Sequence, residues 1–307
     1  MGSLSAASAE RRSIRKLSRL DFRAPAAKSP PLKFNSRWEG YPMPVECKDA
    51  STLVMMRDRT VGGSPELLMV RRSQRAGFAP GALVFPGGVL EEADYSALAL
   101  SPGLAPRAAG SVLEDVESPA KAEGFLIAAI RETFEEVGIL LANRGEDGLW
   151  QPSAAEGEEL ESVRRQGGGR STAFFQWVSS AGLHLATERL VYFAHWITPE
   201  SRPKRFDTRF FLAAVPGSVS AKPDFHEIIE AHWFLPREAM ELHERKHLPI
   251  LNPTLRNLEL LARFSSTTQA VEELTKREVS SVLPRIMTNP DKSETIFHPW
   301  DTNYETH

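Results

Sequence analysis

Residues Ala129 to Leu141 read AIRETFEEVGILL, and the spacing of their charges governs how the rest of the chain is read. On a helix at about 100° per residue, Glu132, Glu135 and Glu136 fall within one arc, and Ile127, Ile130, Phe134, Val137 and Leu141 gather on the opposite side. Like charges three and four apart cost a helix roughly 0.2–0.5 kcal/mol per pair. Three of them aimed at one spot are better explained by a cation there than by water. A solvated acidic face is the alternative for any lone Glu-Glu pair, and the neighbouring residues decide against it. The helix is predicted from about Phe125 to Asn143.

Upstream, Ser51 to Asp58 and Glu66 to Arg72 are short apolar runs separated by Val61-Gly62-Gly63-Ser64-Pro65, which predicts two strands and a turn, with a third strand at Ala82 to Phe85. Pro86-Gly87-Gly88 follows, where missing side chains let the backbone turn sharply and approach a ligand. The glycine turn, the acid at Asp94 and the three glutamates together predict a hard, oxygen-only site. Mg²⁺ or Mn²⁺ prefers such donors, keeps several waters and is commonly held together with substrate phosphates. The expected substrate is therefore a phosphate ester or anhydride. The expected reaction is hydrolysis by a water that the metal activates and a further carboxylate deprotonates. Glu227 and Glu230, on the approach to a strand, are the candidates for that base. Arg131, next to Glu132, is placed to orient a carboxylate by a charge-assisted pair.

Residues 95–123 hold no period of 2 or 3.6 and read as an inserted surface loop. Arg144 to Arg170 reads as a second loop with a short helix near Glu156 to Arg165, and Thr172 to Ala181 as a helix. Arg189 to Ile197, Thr208 to Val215 and Ile228 to Phe234 read as strands, with a basic turn at Pro199 to Asp207. Helices are predicted at Arg237 to Lys246, Pro253 to Phe264 and Thr268 to Arg277, and an irregular tail from Ser281. Strands flanked by helices point to an α/β sandwich. The organisation expected is a proline-rich lead-in over 1–46, a catalytic domain over 47–264, and a C-terminal helix with a tail over 265–307.

Composition narrows the class. The 307 residues are 41% hydrophobic and 25% charged with a net charge of -3, which predicts a soluble globular protein with no broad attraction to nucleic acid or membrane. Cys47 is the single cysteine; it excludes an internal disulfide or a cysteine zinc cluster and suits a reducing compartment. No apolar run reaches the length of a membrane span. MGSLSAASAERRSIRKLSRLDFR has the Arg, Ser and Ala content of a mitochondrial transit peptide, weakened by Glu10 and Asp21. A basic tail is the alternative, so mitochondrial matrix and cytoplasm both stand. A myristoylation signal and a Ser-Lys-Leu peroxisomal address are not found.

These residues resemble the Nudix hydrolase signature: Gly, five residues, Glu, seven residues, then Arg-Glu, an aliphatic, any residue, Glu-Glu, any residue, Gly and an aliphatic. Gly88 starts it, and Arg131, Glu132, Glu135, Glu136, Gly138 and Ile139 complete it, with Thr133 in place of the aliphatic. Asp94 occupies the first Glu position, and 36 residues separate it from Arg131 instead of seven. Such a split box resembles the acyl-CoA diphosphatase branch. So do SQRAGFAPGALVFPGGVLEEAD, HWITPE, RFDTRFF, EAHWFLPREAM and LPILNPTLRNLELLARF, which spread the similarity over roughly residues 47 to 285.

The resemblance implies a Nudix-type α/β/α sandwich with a mixed sheet and extra C-terminal helices. It implies Mg²⁺ or Mn²⁺ on Glu132, Glu135, Glu136 and the backbone carbonyl of Gly87 or Gly88. It also implies water attack on the pyrophosphate of CoA or acyl-CoA, giving 3′,5′-ADP and (acyl-)phosphopantetheine. An ADP-ribose or dinucleotide hydrolase and a non-catalytic Nudix binding module are the alternatives. The CoA-type motif is matched at Leu68, Arg72, Ser73, Gly81, Phe85, Pro86, Gly87 and Gly88, but Gly77 stands where a second Arg belongs. Arg75, Arg205 or Arg209 would then take over the task of that arginine. Arg72, Arg75, Arg205, Phe85 and Gly87 are the candidate substrate-binding residues.

Overall fold

A computed structural model describes residues 45–59, 63–101, 113, 115–145, 148–166 and 170–306. The basic N-terminal stretch, residues 60–62 of the first loop, the core of the 95–123 insert and the Gly167-Gly168-Gly169 run lie outside the described residues. One unit spans Val45–Leu283, and a second contains Pro284 onward.

In the first unit the strands are β1 (Cys47–Arg57), β2 (Glu66–Arg72), β3 (Leu83–Val84), β4 (Gly87–Val89), β5 (Ala142–Asn143), β6 (His184–Leu185), β7 (Val191–Ile197), β8 (Arg205–Ala214), β9 (Ile228–Phe234) and β10 (Ser281–Val282). The helices are α1 (Glu92–Ser96), α2 (Pro119–Val137), α3 (Ala154–Arg165), α4 (Arg170–Ser180), α5 (Pro236–Glu244), α6 (Asn252–Leu261) and α7 (Thr267–Thr275). Eight strands form one mixed sheet in the order β10-β7-β8-β1-β2-β3, with β4 paired to β1 and β9 to β2. β1 runs parallel to β8 and antiparallel to β2 and β4.

Alternation along the central strands sends side chains into two cores. Leu53 and Met55, Leu68 and Val70, and Phe211 and Ala213 face α2, α3 and α4. Val54 and Met56, Leu67 and Met69, and Phe210 and Leu212 face α5, α6 and α7. Cover on both faces explains why these strands read as unbroken apolar runs instead of alternating ones. The expected α/β/α sandwich with a mixed sheet and C-terminal helices is the architecture found. α7 packs Ala270 and Leu274 into the second core, so this unit runs past residue 264 to Leu283.

Four segments differ from the sequence expectation. The signature helix runs Pro119–Val137, not Phe125 to Asn143. Ser118 caps it by accepting from the Lys121 amide, Pro119 fills the first turn, and Gly138 at φ +70° ends it. From Ala122 to Arg131 it is buried on all sides, so no amphipathic period marked that stretch. The 95–123 insert is not all surface loop: α1 and a 3₁₀ turn at Leu98–Leu100 begin it, and Asp94 and Leu113 are fully buried. The tail is not irregular. β10 pairs in parallel with β7, and in the second unit β11 (Arg285–Thr288) and β12 (Glu294–Phe297) form a hairpin. The turn at Pro199 to Asp207 is also shorter than expected, since β8 takes over at Arg205.

Candidate active site

The site forms where β4 crosses the carboxylate side of α2. A Cβ built on Gly88 would lie 2.4 Å from the Glu132 carboxyl carbon, and one on Gly87 would lie 2.3 Å from the Ser51 carbonyl oxygen. Close approach to the β1 backbone therefore requires glycine at 87, whereas a side chain at 88 would displace the movable Glu132 carboxylate. The pair sits in a strand, not in the sharp turn expected from its composition. The Gly87 amide donates to Glu136 Oε2 at 3.1 Å. Ser51, opposite Gly88 in the ladder, donates its hydroxyl to the Phe125 carbonyl at 2.7 Å and pins α2 to the sheet.

Arg131 organises one side. Its side chain is fully buried and donates to both oxygens of the equally buried Asp94, Nε at 2.7 Å and Nη2 at 2.9 Å. Nη2 also donates to the Val89 carbonyl at 3.0 Å, and Nη1 reaches Glu132 at 2.9 Å and Glu135 at 3.5 Å. Burial works against the guanidinium charge, but its hydrogen bonds to Asp94 and the field of Glu132 outweigh it, so the proton is held more firmly than usual. The signature position taken by Asp94 thus holds the arginine, and the arginine holds a glutamate. Asp94 is not directed at the carboxylate cluster as an oxygen donor, as its sequence position suggested. It also accepts from the Glu91 amide at 2.8 Å, closing the cap of α1.

The carboxylates themselves are crowded. Burial, with Glu135 adding to it against the pull of Arg131, raises Glu132 to about 7. Glu136 is raised well above the ordinary carboxylate value by burial and by Glu132, against Arg72 and the Gly87 amide. Groups that resist ionisation because they are desolvated and close together are the donor set a hard cation stabilises. Among the described residues no group of three His, Cys, Asp or Glu stands in ligand geometry. Glu132 is turned to Arg131 and Glu136 to Gly87, so a cation would be met by rotation of side chains already on the right face.

The other predicted residues separate into those at this cluster and those away from it. Arg72 lies 3.9 Å from Glu136 and 3.9 Å from Glu227, with its Nε donating to the Phe78 carbonyl at 3.0 Å. Glu227 is exposed at the edge of the cluster. Glu230 lies on the far face: it pairs with Arg71 at 3.0 Å, and Arg71 follows Leu67 and Met69 toward the second core. Phe85 is buried in that second core. Arg75 is exposed on the loop after β2. Arg205 donates to the carbonyls of Thr198 and Val45 at 3.1 and 3.0 Å, and not to Asp207. The residue beside Gly77 is Lys204, whose Nζ donates to the Gly77 carbonyl at 2.7 Å.

Two features were not assigned from sequence. Asp224 accepts from the amides of His226, Glu227 and Ile228 at 3.1, 3.2 and 2.9 Å, and its own amide donates to the Glu136 carbonyl at 3.0 Å. An Asp a few residues before a strand is the available signal for such a turn. Arg209 belongs to a buried network. It bonds Asp115 at 2.6 Å and Asp207 at 3.2 Å, and His195 lies between the same two acids, 3.1 Å from Asp115 and hydrogen-bonded to Asp207. Burial alone would raise Asp115, but the hydrogen bond with His195 and the charge of Arg209 bring it down to about 2. This network fastens the segment before α2 to β7 and β8; nothing in the sequence alone brings residue 115 to residue 195.

Comparison with known proteins bears on the family and the fold. Residues 111–261 match the NUDT19 Nudix domain family. The chain is 34% identical over 237 residues to the acyl-coenzyme A diphosphatase NUDT19 of Gallus gallus, covering 66% of this chain and 62% of the relative. It is 30% identical over 230 residues to the Homo sapiens protein of the same name, covering 65% of this chain and 61% of the relative. The chain thus spans somewhat under two thirds of the length of those relatives. Among solved structures, a NUDIX hydrolase from Alicyclobacillus acidocaldarius superposes with a TM-score of 0.62 at 29% identity, covering 76% of this chain and 99% of that one. Domain, relatives and fold together support a Nudix hydrolase of the NUDT19 branch.

Proposed function

We propose that this protein is a Mg²⁺- or Mn²⁺-dependent diphosphatase that splits CoA or acyl-CoA at the pyrophosphate into 3′,5′-ADP and (acyl-)phosphopantetheine. The observation that carries the reading is the meeting of the signature helix with β4, where Glu132 abuts Gly88 and Glu136 accepts from the Gly87 amide. The names of the NUDT19 relatives support the choice of substrate.

Glu132, Glu135, Glu136 and the Gly88 carbonyl are the groups that would hold the metal. A divalent cation bound there supplies charge neutralisation at the phosphoryl oxygens and an acidified water. Arg131, locked by Asp94, keeps Glu132 on the β4 side. Arg72, between Glu136 and Glu227, contributes positive charge where a phosphate would enter, and Glu227 is the carboxylate able to take the proton from water. Glu230 is left a structural partner of Arg71.

The test is a substrate panel with product identification on the wild type and on Glu135→Gln. Release of 3′,5′-ADP from CoA and acyl-CoA, lost by at least about 10²-fold in the variant while its fold is unchanged, supports the reading. Turnover confined to ADP-ribose or dinucleotides moves the substrate to the alternative class, and activity unchanged in Glu135→Gln refutes the metal assignment.

A further inference from the structure

Among the described residues four non-glycine residues adopt positive φ, and one of them, Phe225 at +60°, is a large aromatic. An L side chain there crowds its own backbone, and bulky residues are rare in that region. Burial does not repay the strain, because Phe225 is 66% exposed, the most exposed of the large hydrophobic residues described. Strain held in place and uncompensated by packing is a reason to look for a ligand.

The surroundings say where that ligand would be. The Asp224 amide bonds the carbonyl of Glu136, its carboxylate gathers three successive amides, and the Phe225 amide donates to the Ile228 carbonyl at 2.9 Å. The turn is thus fixed to the last turn of α2. Two residues beyond Phe225, Glu227 lies 3.9 Å from Arg72, which lies the same distance from Glu136. The exposed ring belongs to a rigid turn continuous with the carboxylate and arginine cluster, and little freedom remains to be lost when it is covered.

We propose that Phe225 is a stacking platform for the nucleobase of the diphosphate substrate. The inference rests on the hydrolase reading above and adds a specificity residue to it. An exposed ring on a hydrogen-bonded turn suits a flat heterocycle, which gains from one face of contact; an acyl chain gains from enclosure instead.

The experiment compares wild type, Phe225→Gly and Phe225→Trp on an adenosine-containing diphosphate and on a diphosphate diester with no nucleobase. Melting temperature and ADP binding with Mn²⁺ are measured on the same proteins. Glycine accepts φ +60° without strain, which offsets its greater freedom in the unfolded chain, so the melting temperature of Phe225→Gly holds or rises. Its KM for the adenosine substrate rises about tenfold with kcat little changed. The base-free substrate is unaffected, and Trp restores KM. Equal effects on both substrates, no effect on either, dependence on acyl length, or a fall in melting temperature accompanied by loss of kcat overturns the proposal. A wild type that hydrolyses neither substrate but binds ADP in a Phe225-dependent way refutes the hydrolase reading and keeps the platform. Absence of both turnover and Phe225-dependent binding overturns the two together.

Discussion

Replacing Asp94 by Ala removes the partner of a fully buried arginine. Asp94 accepts two charge-assisted hydrogen bonds from Arg131, at 2.7 and 2.9 Å, and both side chains have no solvent exposure, so water screens neither. At about 1.5–3 kcal/mol for each such bond the loss is roughly 3–6 kcal/mol, in line with the roughly 3–5 kcal/mol lost when a buried pair is broken. At about 2–4 °C per kcal/mol this is a drop in melting temperature of roughly 6–24 °C. The assay is urea unfolding with chelator present, so that no cation contributes. The double variant Asp94→Leu/Arg131→Met, which removes both charges, recovers most of the loss. If Asp94 acted as a metal ligand, the metal-free protein would be nearly unaffected and only cation affinity would fall. A metal-free loss below about 1 kcal/mol refutes the positioning role.

The glycines separate in the same way: Gly88→Ala pushes against the Glu132 carboxylate and lowers Mn²⁺ affinity about 10- to 100-fold by calorimetry with the fold retained, whereas Gly87→Ala meets the β1 backbone and costs about 1–3 kcal/mol of stability. Glu227→Gln lowers kcat by about 10²–10⁴ while Glu230→Gln stays within a few-fold of wild type in steady-state kinetics; the reverse result moves the base to the other side of the sheet. In metal-free protein, Glu132 takes up a proton at about 7 when folded and 4.5 when unfolded, and Glu136 is shifted in the same direction. The folded state therefore binds more protons across that window, and stability falls as pH rises through it. Saturating Mn²⁺ removes this slope in unfolding measurements. His195 is also raised: burial opposes its charge, but its hydrogen bonds to Asp115 and Asp207 prevail. Its contribution, full below 6.5 and lost as pH rises through the folded value, survives Mn²⁺ and disappears in His195→Gln.

Much of the fold was legible because both faces of the sheet are covered. Continuous apolar runs such as Leu53 to Met56 and Leu67 to Val70 announce strands without needing a partner, and helices α3 to α7 announce themselves by ordinary periodicity. The start of α2 did not, since a helix buried on all sides has no polar stripe to reveal its period. The candidate site divided along the same line. The i, i+3, i+4 spacing of Glu132, Glu135 and Glu136 is a local property of one helix, so sequence alone put the three carboxylates together and suggested a cation. Whether an acid binds a metal or an arginine depends on which chain segment arrives beside it, and that is long-range. Only the tertiary structure gave Asp94 to Arg131, sent Phe85 to the second core and Arg205 to backbone carbonyls, and seated Gly88 on Glu132. Parity separated the two candidate bases: strand β9 carries Glu230 on the face opposite the cluster, and the turn that Asp224 ties to Glu136 leaves Glu227 beside Arg72.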